Sequence, residues 1–278
     1  MDLRQLVESD EPYFQFDREE RHYAAILFHI LNHEDNAELA LRSADRNWNL
    51  NKSEFGIYLE YSYPRDLWNK FEVKTESNKR KRDVIIGMLA SQGFDTTRLT
   101  AHTQEEDFNR FFIGRRGSRE YVESPANWSL TQLARSLPSE SDNKDLVTAC
   151  MIKWAFRAKP DIVIHADCKR ALCIELKLES GESSYPANGA ERKLLYDRGL
   201  HLIKQTDLQR FLMTKLLGFD CRFRFITRHT TSSEECVSWR DFLRPLKPLP
   251  NPPRYVEEAL KNVERVGVAE PSEEAESD

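Results

Sequence analysis

The stretch KPDIVIHADCKRALCIELKLE, residues 159–179, decides the fold. It holds two apolar, β-rich runs, 161–166 and 171–178, on either side of a polar segment that is typical of a turn. The pattern therefore predicts a β-hairpin. On the second strand Glu175 and Lys177 are two residues apart, so both side chains leave the same face of the sheet.

The hairpin also brings candidate catalytic groups together. Asp161 stands where the first strand begins, beside the segment that bears Glu175, so we expect two carboxylates and the Lys177 ammonium to converge. Two nearby carboxylates repel each other unless a cation joins them, and hard oxygen ligands suit Mg²⁺, with Mn²⁺ as a substitute. Such a metal lowers the pKa of a bound water, which the lysine can orient. The alternative is an ordinary exposed strand face, which the apolar surroundings disfavour.

The residues Pro160-Asp161 and Glu175-Leu176-Lys177 resemble the signature of the PD-(D/E)XK nuclease superfamily, also called restriction-endonuclease-like. The resemblance implies a core of one helix, three strands, a second helix and a fourth strand. It also implies that Asp161, Glu175 and the backbone carbonyl of Leu176 are ligands of Mg²⁺ and that Lys177 is the catalytic lysine. Residues 159–227 carry this resemblance.

Further site residues follow from the same resemblance. The helix after the third strand carries Lys204 and Gln205, which the resemblance places near the scissile phosphate as substrate-binding residues. Many members of the superfamily also use a glutamate from the first core helix as a metal ligand. Glu20 is the candidate here because it shares a helix face with apolar residues, and Glu19 is nearly as good.

Outside the hairpin, periodicity predicts the remaining elements. Residues 17–32 have the spacing of an amphipathic helix, and residues 55–63 alternate like a strand. Residues 200–217 form a strong helix pattern, and residues 221–227 alternate like another strand. Between the first strand and the hairpin, polar turns separate five helical patterns: 65–72, 78–92, 105–113, 129–137 and 144–157.

These elements predict an α/β (α+β) fold with a restriction-endonuclease-like core, in which helices flank a central mixed sheet. Residues 1–64 supply the first core helix and strand, and residues 65–158 form a large helical insertion. Residues 159–244 are the catalytic core. Residues 245–278 comprise a proline-rich linker, a short helix and an acidic end whose composition is typical of disorder.

Composition sets the broad class. No apolar run among the 278 residues approaches the roughly 20 that a bilayer requires, so we expect no membrane contact. The five scattered cysteines have no zinc spacing and suit a reducing cytoplasm. The net charge of -5 arises after Pro250, where 8 acidic residues accompany 3 basic ones, so the rest of the chain is neutral and a nucleic-acid partner is allowed.

These observations favour a magnesium-dependent DNA endonuclease in restriction, repair or anti-phage defence, with RNA as a substrate that the sequence leaves open. A homodimer would suit cleavage of both strands, and residues 245–278 offer a segment for a protein partner. The basic run 79–82 and the pair Arg115-Arg116 are either phosphate contacts or solvated faces. The alternative function is a catalytically inactive nucleic-acid-binding or scaffold protein that retains the nuclease fold.

Overall fold

The computed structural model describes residues 19–70, 75–114, 120–178, 182–228 and 235–265. The chain divides into two compact units. The first unit combines Met1–Glu60, Asp161–Gly181 and Arg222–Asp278, and the second combines Tyr61–Pro160 and Glu182–Cys221. The Arg115-Arg116 pair and the acidic end beyond residue 265 lie outside the described residues.

The described residues contain seven β-strands. In chain order they are β1 (Gly56–Leu59), β2 (Ile162–His165), β3 (Arg170–Lys177), β4 (Ser184–Tyr185), β5 (Ile203–Lys204), β6 (Asp220–Thr227) and β7 (Cys236–Ser238). Five of them form one sheet in the order β1-β2-β3-β6-β7, and β4 pairs with β5 separately. Because β1-β2 and β2-β3 are antiparallel while β6-β7 are parallel, the sheet is mixed, as predicted.

The same residues contain twelve α-helices. They are α1 (Glu20–Leu31), α2 (Asn36–Ala44), α3 (Tyr63–Asn69), α4 (Thr75–Ser91), α5 (Thr97–Thr100), α6 (Glu105–Ile113), α7 (Leu130–Ser136), α8 (Asn143–Ala155), α9 (Gly189–Asp197), α10 (Gln205–Arg210), α11 (Trp239–Leu243) and α12 (Arg254–Arg265). A π-helical stretch, Phe211–Leu216, continues α10. The prediction of a mixed sheet flanked by helices is confirmed. No helix in the described part of the chain has the length and apolar character that a membrane span needs.

The predicted hairpin is confirmed, and its turn has a clear cause. Oδ1 of Asp167 accepts hydrogen bonds of 2.7 Å from the main-chain amides of both Lys169 and Arg170. A short side chain that satisfies two amides stabilises a tight turn. The turn fixes a register in which Ile162 pairs with Ile174, and this register sets which side chains share a face.

One face of the sheet lies in the core of the first unit. The apolar positions of β2 and β3 that alternate with the polar site residues are fully buried there, together with one side of α1 and residues of α11 and α12. From the strands, this core receives Ile162, Ile164, Leu172, Ile174, Leu176 and, on β6, Ile226. The alternation expected for β3 is therefore confirmed.

Some predicted boundaries are wrong. The strand predicted for residues 55–63 ends at Leu59, since Glu60 has a φ of 49°, which no regular strand accommodates, and α3 begins at Tyr63. The helix predicted for residues 200–217 begins only at Gln205, after the short strand β5. Helices α2, α5, α9 and α11 were not predicted.

The second unit is built mainly from helices. Trp128 stacks on Phe112 with ring centroids 4.0 Å apart, which joins the start of α7 to α6. A buried ion pair joins α8 to α9, because Nζ of Lys153 lies 2.8 Å from Oε1 of Glu191. The stretch 182–221, predicted as part of the catalytic core, groups with these helices.

Candidate active site

The candidate site lies where β2 begins and β3 ends, within the first unit. Asp161 directly precedes β2, and continuation of the β2-β3 register places it opposite Glu175. Directly opposite residues of an antiparallel pair point to the same face. The structure therefore brings together the two carboxylates that the sequence predicted as metal ligands.

Main-chain hydrogen bonds hold the aspartate in place. The amide of Leu176 donates to Oδ2 of Asp161 over 2.8 Å. On the other side, the amide of Glu60 donates to the main-chain carbonyl of Asp161 over 2.8 Å, which extends the β1-β2 ladder by one residue. The position of the carboxylate is thus set by the sheet itself.

Lys177 lies between two carboxylates. Its Nζ is 3.1 Å from Oε1 of Glu175 and 3.4 Å from Oε2 of Glu20. Burial lowers the pKa of this lysine, but Glu175 and Glu20 raise it more, so the net pKa lies above its ordinary value. The ammonium is therefore charged at neutral pH and partly compensates the acidic groups around it.

The first turn of α1 completes the cluster. Glu20 is the first residue of this helix, whose buried face anchors it in the core. Oε1 of Glu20 accepts a 3.2 Å hydrogen bond from the amide of Leu178, in addition to the contact with Lys177. Of the two predicted candidates, Glu20 reaches the site residues, and Glu19 is the exposed residue that precedes α1.

The proximity of two acidic side chains, the buried Glu175 and the partly buried Asp161, is electrostatically unfavourable. Glu175 is only 2% exposed, and Asp161 is partly buried beside it. Burial first, and then the Glu175 charge, raise the pKa of Asp161 to about 7. A buried carboxyl pair of this kind either keeps a proton or takes up a cation.

The metal ligand set remains a prediction. Within the described residues, no three or more His, Cys, Asp or Glu side chains are grouped as a cation site would require. The ligand set expected from the sequence has two carboxylates and the carbonyl of Leu176, and water fills the remaining positions of Mg²⁺. Asp161 and Glu175 lie opposite each other on one face of the hairpin, which is the placement that such an ion requires of two carboxylate ligands.

The predicted substrate-binding residues belong to the second unit. Gln205 begins α10, and its main-chain amide donates a 2.9 Å hydrogen bond to the main-chain carbonyl of Ser183. Nζ of Lys204 lies 3.8 Å from Oε2 of Glu182, and the lysine is exposed. The roles of Gln205 and Lys204 toward a phosphate stay predictions.

Sequence reasoning missed the main-chain contribution to the site. The amides of Leu176 and Leu178 donate to Asp161 and Glu20, respectively. Alternation along β3 placed their side chains in the core, but it gave no sign that their amides would face acidic partners.

Comparisons with protein-family models, with curated proteins and with solved structures find no match to this chain.

Proposed function

We propose that this protein is a metal-dependent nuclease with a restriction-endonuclease-like core and that DNA is its main substrate. The observation that carries the proposal is the convergence of Asp161, Glu175, Lys177 and Glu20 at one end of the β2-β3 hairpin. Ordinary exposed strands do not place two carboxylates in contact with one lysine and a third carboxylate opposite one of them, since the repulsion between the acids costs stability.

The order of elements supports the same proposal. Apart from α2, which precedes β1, and α3 to α8, which lie between β1 and β2, helix α1 is followed by β1, β2 and β3. The short strands β4 and β5 and the helices α9 and α10 come next, and then β6. The first three strands and β6 are neighbours in the sheet in that order. This arrangement agrees with a core of one helix, three strands, a second helix and a fourth strand.

The metal would be held by Asp161, Glu175 and the carbonyl of Leu176. Oδ2 of Asp161 accepts one bond from the Leu176 amide, so the carboxylate keeps lone pairs that would bind a cation. When bound there, Mg²⁺ supplies a water of lowered pKa and positive charge beside a phosphate. The carboxylates supply the negative charge that draws the ion into a mostly buried position.

Lys177 does the remaining chemistry in this proposal. Its ammonium has three N–H donors, two of which are directed to Glu175 and Glu20 in the structure. The third donor is available to orient the attacking water and to stabilise negative charge that develops on the phosphate oxygens. Preorganised charge of this kind is usually worth about 100- to 1,000-fold in rate.

The test is a cleavage assay with matched variants. Purified protein is incubated with supercoiled plasmid, linear duplex, single-stranded DNA and RNA, in Mg²⁺, Mn²⁺ or EDTA. We expect cleavage with Mg²⁺ or Mn²⁺ and none with EDTA, and we expect Lys177→Ala and Glu175→Gln each to lower kcat by about 100-fold or more. Lys169→Ala is the control, because this exposed lysine lies in the turn of the same hairpin. Cleavage that persists in EDTA or in both site variants would overturn the proposal.

A further inference from the structure

Tyr58 lies on the same face of the sheet as the candidate active site. It pairs with Val163 across the β1-β2 ladder, and Val163 follows Asp161 by two residues. Directly paired residues, and residues two apart on one strand, point to the same face. The hydrogen bond from the Glu60 amide to the Asp161 carbonyl continues this register as far as the site. Strand geometry therefore puts the Cα atoms of Tyr58 and Asp161 about 8 Å apart.

The ring of Tyr58 has a defined position on this face. A side-chain carbon added at Gly56 would lie 2.5 Å from the Tyr58 hydroxyl oxygen and 2.9 Å from ring carbons, so the ring lies across the main chain of Gly56. The ring centroid is also 4.9 Å from that of His165, the residue that pairs with Gly56. The missing side chain at Gly56 thus provides the space for the tyrosine ring. Because these contacts fix the ring beforehand, a ligand that binds to it loses little affinity to ordering of the side chain.

Packing leaves much of this tyrosine exposed. Tyr58 is 44% exposed, although its ladder partner Val163 is fully buried. Burial lowers the pKa of His165 and outweighs the opposite effect of Asp167, so the imidazole is neutral at neutral pH. The two rings therefore present an uncharged aromatic surface. Such a surface suits a planar nucleobase, whereas a phosphate is bound by cations.

A cation lies at the end of the same strand. Nε of Arg21 is 3.3 Å from Oε1 of Glu60, the residue that follows β1 and whose amide donates to Asp161. The arginine side chain is 78% exposed and that of the glutamate 37%. An exposed ion pair of this kind contributes little stability, so the guanidinium can exchange its partner for a phosphate at little cost. An aromatic surface and an exchangeable guanidinium are thus both held beside Asp161.

We propose that Tyr58, backed by His165, stacks with an unpaired base of the DNA substrate next to the scissile phosphate, and that Arg21 binds a neighbouring phosphate. This inference rests on the proposed function, which supplies the DNA and the position of the scissile phosphate. The bases of an intact duplex stack on each other and present only their edges in the grooves, so they do not reach this ring face to face. The substrate class is therefore single-stranded DNA, or duplex DNA whose end carries unpaired bases. Stacking favours no particular sequence, since every base has a π-face.

The experiment measures binding apart from cleavage. A labelled single strand of about 20 bases and the corresponding duplex are titrated with protein in EDTA, and affinity is read from fluorescence anisotropy. We expect Tyr58→Ile, which suits a strand but has no ring, to bind the single strand about tenfold more weakly and the duplex within about twofold of wild type. Tyr58→Trp keeps an aromatic face and should stay within about threefold of wild type on both. Tyr196→Ile is the matched control, since it removes an exposed tyrosine from α9 and should change neither affinity by more than about twofold.

Two further measurements separate stacking from charge. The base analogue 2-aminopurine loses fluorescence when it stacks on an aromatic ring, and a single strand that carries it at several positions should be quenched by the wild type. Tyr58→Ile should lose most of this quenching, and its thermal unfolding midpoint is measured to verify that it folds. Arg21→Ala should keep the quenching and lower the slope of log affinity against log salt by about 0.7 on the single strand, the value for one lost phosphate contact.

The outcomes distinguish this inference from the proposed function. Equal single-strand affinities of Tyr58→Ile and Tyr196→Ile would overturn the stacking subsite, and so would unquenched 2-aminopurine with the wild type or an equal loss on single strand and duplex. If the wild type also cuts DNA in that case, the nuclease proposal stands. An unchanged salt slope in Arg21→Ala would remove the arginine from the subsite. Binding that depends on Tyr58, without hydrolysis in any metal, would overturn the nuclease proposal and leave the stacking subsite standing.

Discussion

The main-chain amide of Leu176 donates a 2.8 Å hydrogen bond to Oδ2 of Asp161, the residue that faces Glu175 across the hairpin. Two strands are therefore joined at the candidate site by a side chain as well as by the ladder. The hydrogen bond orients the Asp161 carboxylate. The Leu176 amide needs only an oxygen acceptor at this position, and that acceptor does not have to be charged. This distinction separates what the residue does for the fold from its proposed role as a metal ligand.

The variant Asp161→Asn tests the structural role and the proposed metal-binding role of this residue separately. The amide oxygen of asparagine still accepts from Leu176, so we expect the free energy of unfolding of the metal-free protein at pH 8 to equal or exceed that of the wild type. Removal of one of two buried acids relieves their repulsion. Affinity for Mn²⁺, measured by calorimetry, should fall at least about tenfold because a ligand charge is lost. Wild-type Mn²⁺ affinity in this variant would contradict the metal assignment.

The pH dependence of stability tests the same carboxyl. Burial and Glu175 raise the pKa of Asp161 to about 7, so the folded protein holds a proton that the unfolded chain has already released at about pH 4. The stability that the Asp161 carboxyl contributes by holding this proton is full below about pH 4, and it is lost as the pH rises through about 7. We expect the unfolding free energy of Asp161→Asn, minus that of the wild type, to increase from pH 5 to pH 8 in EDTA. A flat difference in urea titrations would count against the raised pKa.

Glu20→Gln separates two roles of this glutamate. The amide oxygen can still accept from Leu178, but the ion pair with Lys177 is lost. If Glu20 positions the lysine, kcat should fall about tenfold, and Mn²⁺ affinity should stay within about twofold of wild type. We expect this outcome from the contacts in the structure. A large loss of Mn²⁺ affinity would instead make Glu20 a metal ligand, the role predicted from the sequence.

The ion pair between Lys153 and Glu191 gives a prediction for the second unit. Glu191→Gln removes the carboxylate that pairs with Lys153, a lysine that is 2% exposed, and we expect a loss of about 2 kcal/mol in unfolding free energy. This value is below the roughly 3–5 kcal/mol of a fully buried pair, because the Glu191 side chain is 26% exposed.

Two further variants make this prediction specific. Lys153→Met keeps the side-chain volume and removes the buried charge, so its stability should stay within about 1 kcal/mol of wild type. Glu106→Gln, in an exposed pair with Arg110, should cost less than about 0.5 kcal/mol. The three values come from urea denaturation. Equal losses for Glu191→Gln and Glu106→Gln would show that burial does not strengthen the pair.

Local pattern predicted much of the first unit. Alternation placed Ile174 and Leu176 in the core and Glu175 with Lys177 on the other face, and the structure agrees. Helix α9 escaped prediction because its sequence GAERKLLYD has few apolar residues. Its start did carry a signal, since Asn188 accepts from the amides of Ala190 and Glu191, as an N-cap does.

Contacts between distant parts of the chain were beyond the sequence patterns. The face of α1 that holds Glu20 was predictable, but its contact with the lysine depends on how the helix packs on the sheet.

The separation of Glu20 from Lys177 by 157 residues has a consequence for biosynthesis. The first turn of α1 is made before its partner, which follows only after the whole of Tyr61–Pro160 has been made. Strand β7, the last of the sheet, comes later still, at Cys236–Ser238. A chain interrupted before residue 177 therefore lacks the lysine altogether, so it cannot assemble the cluster of Asp161, Glu175, Lys177 and Glu20.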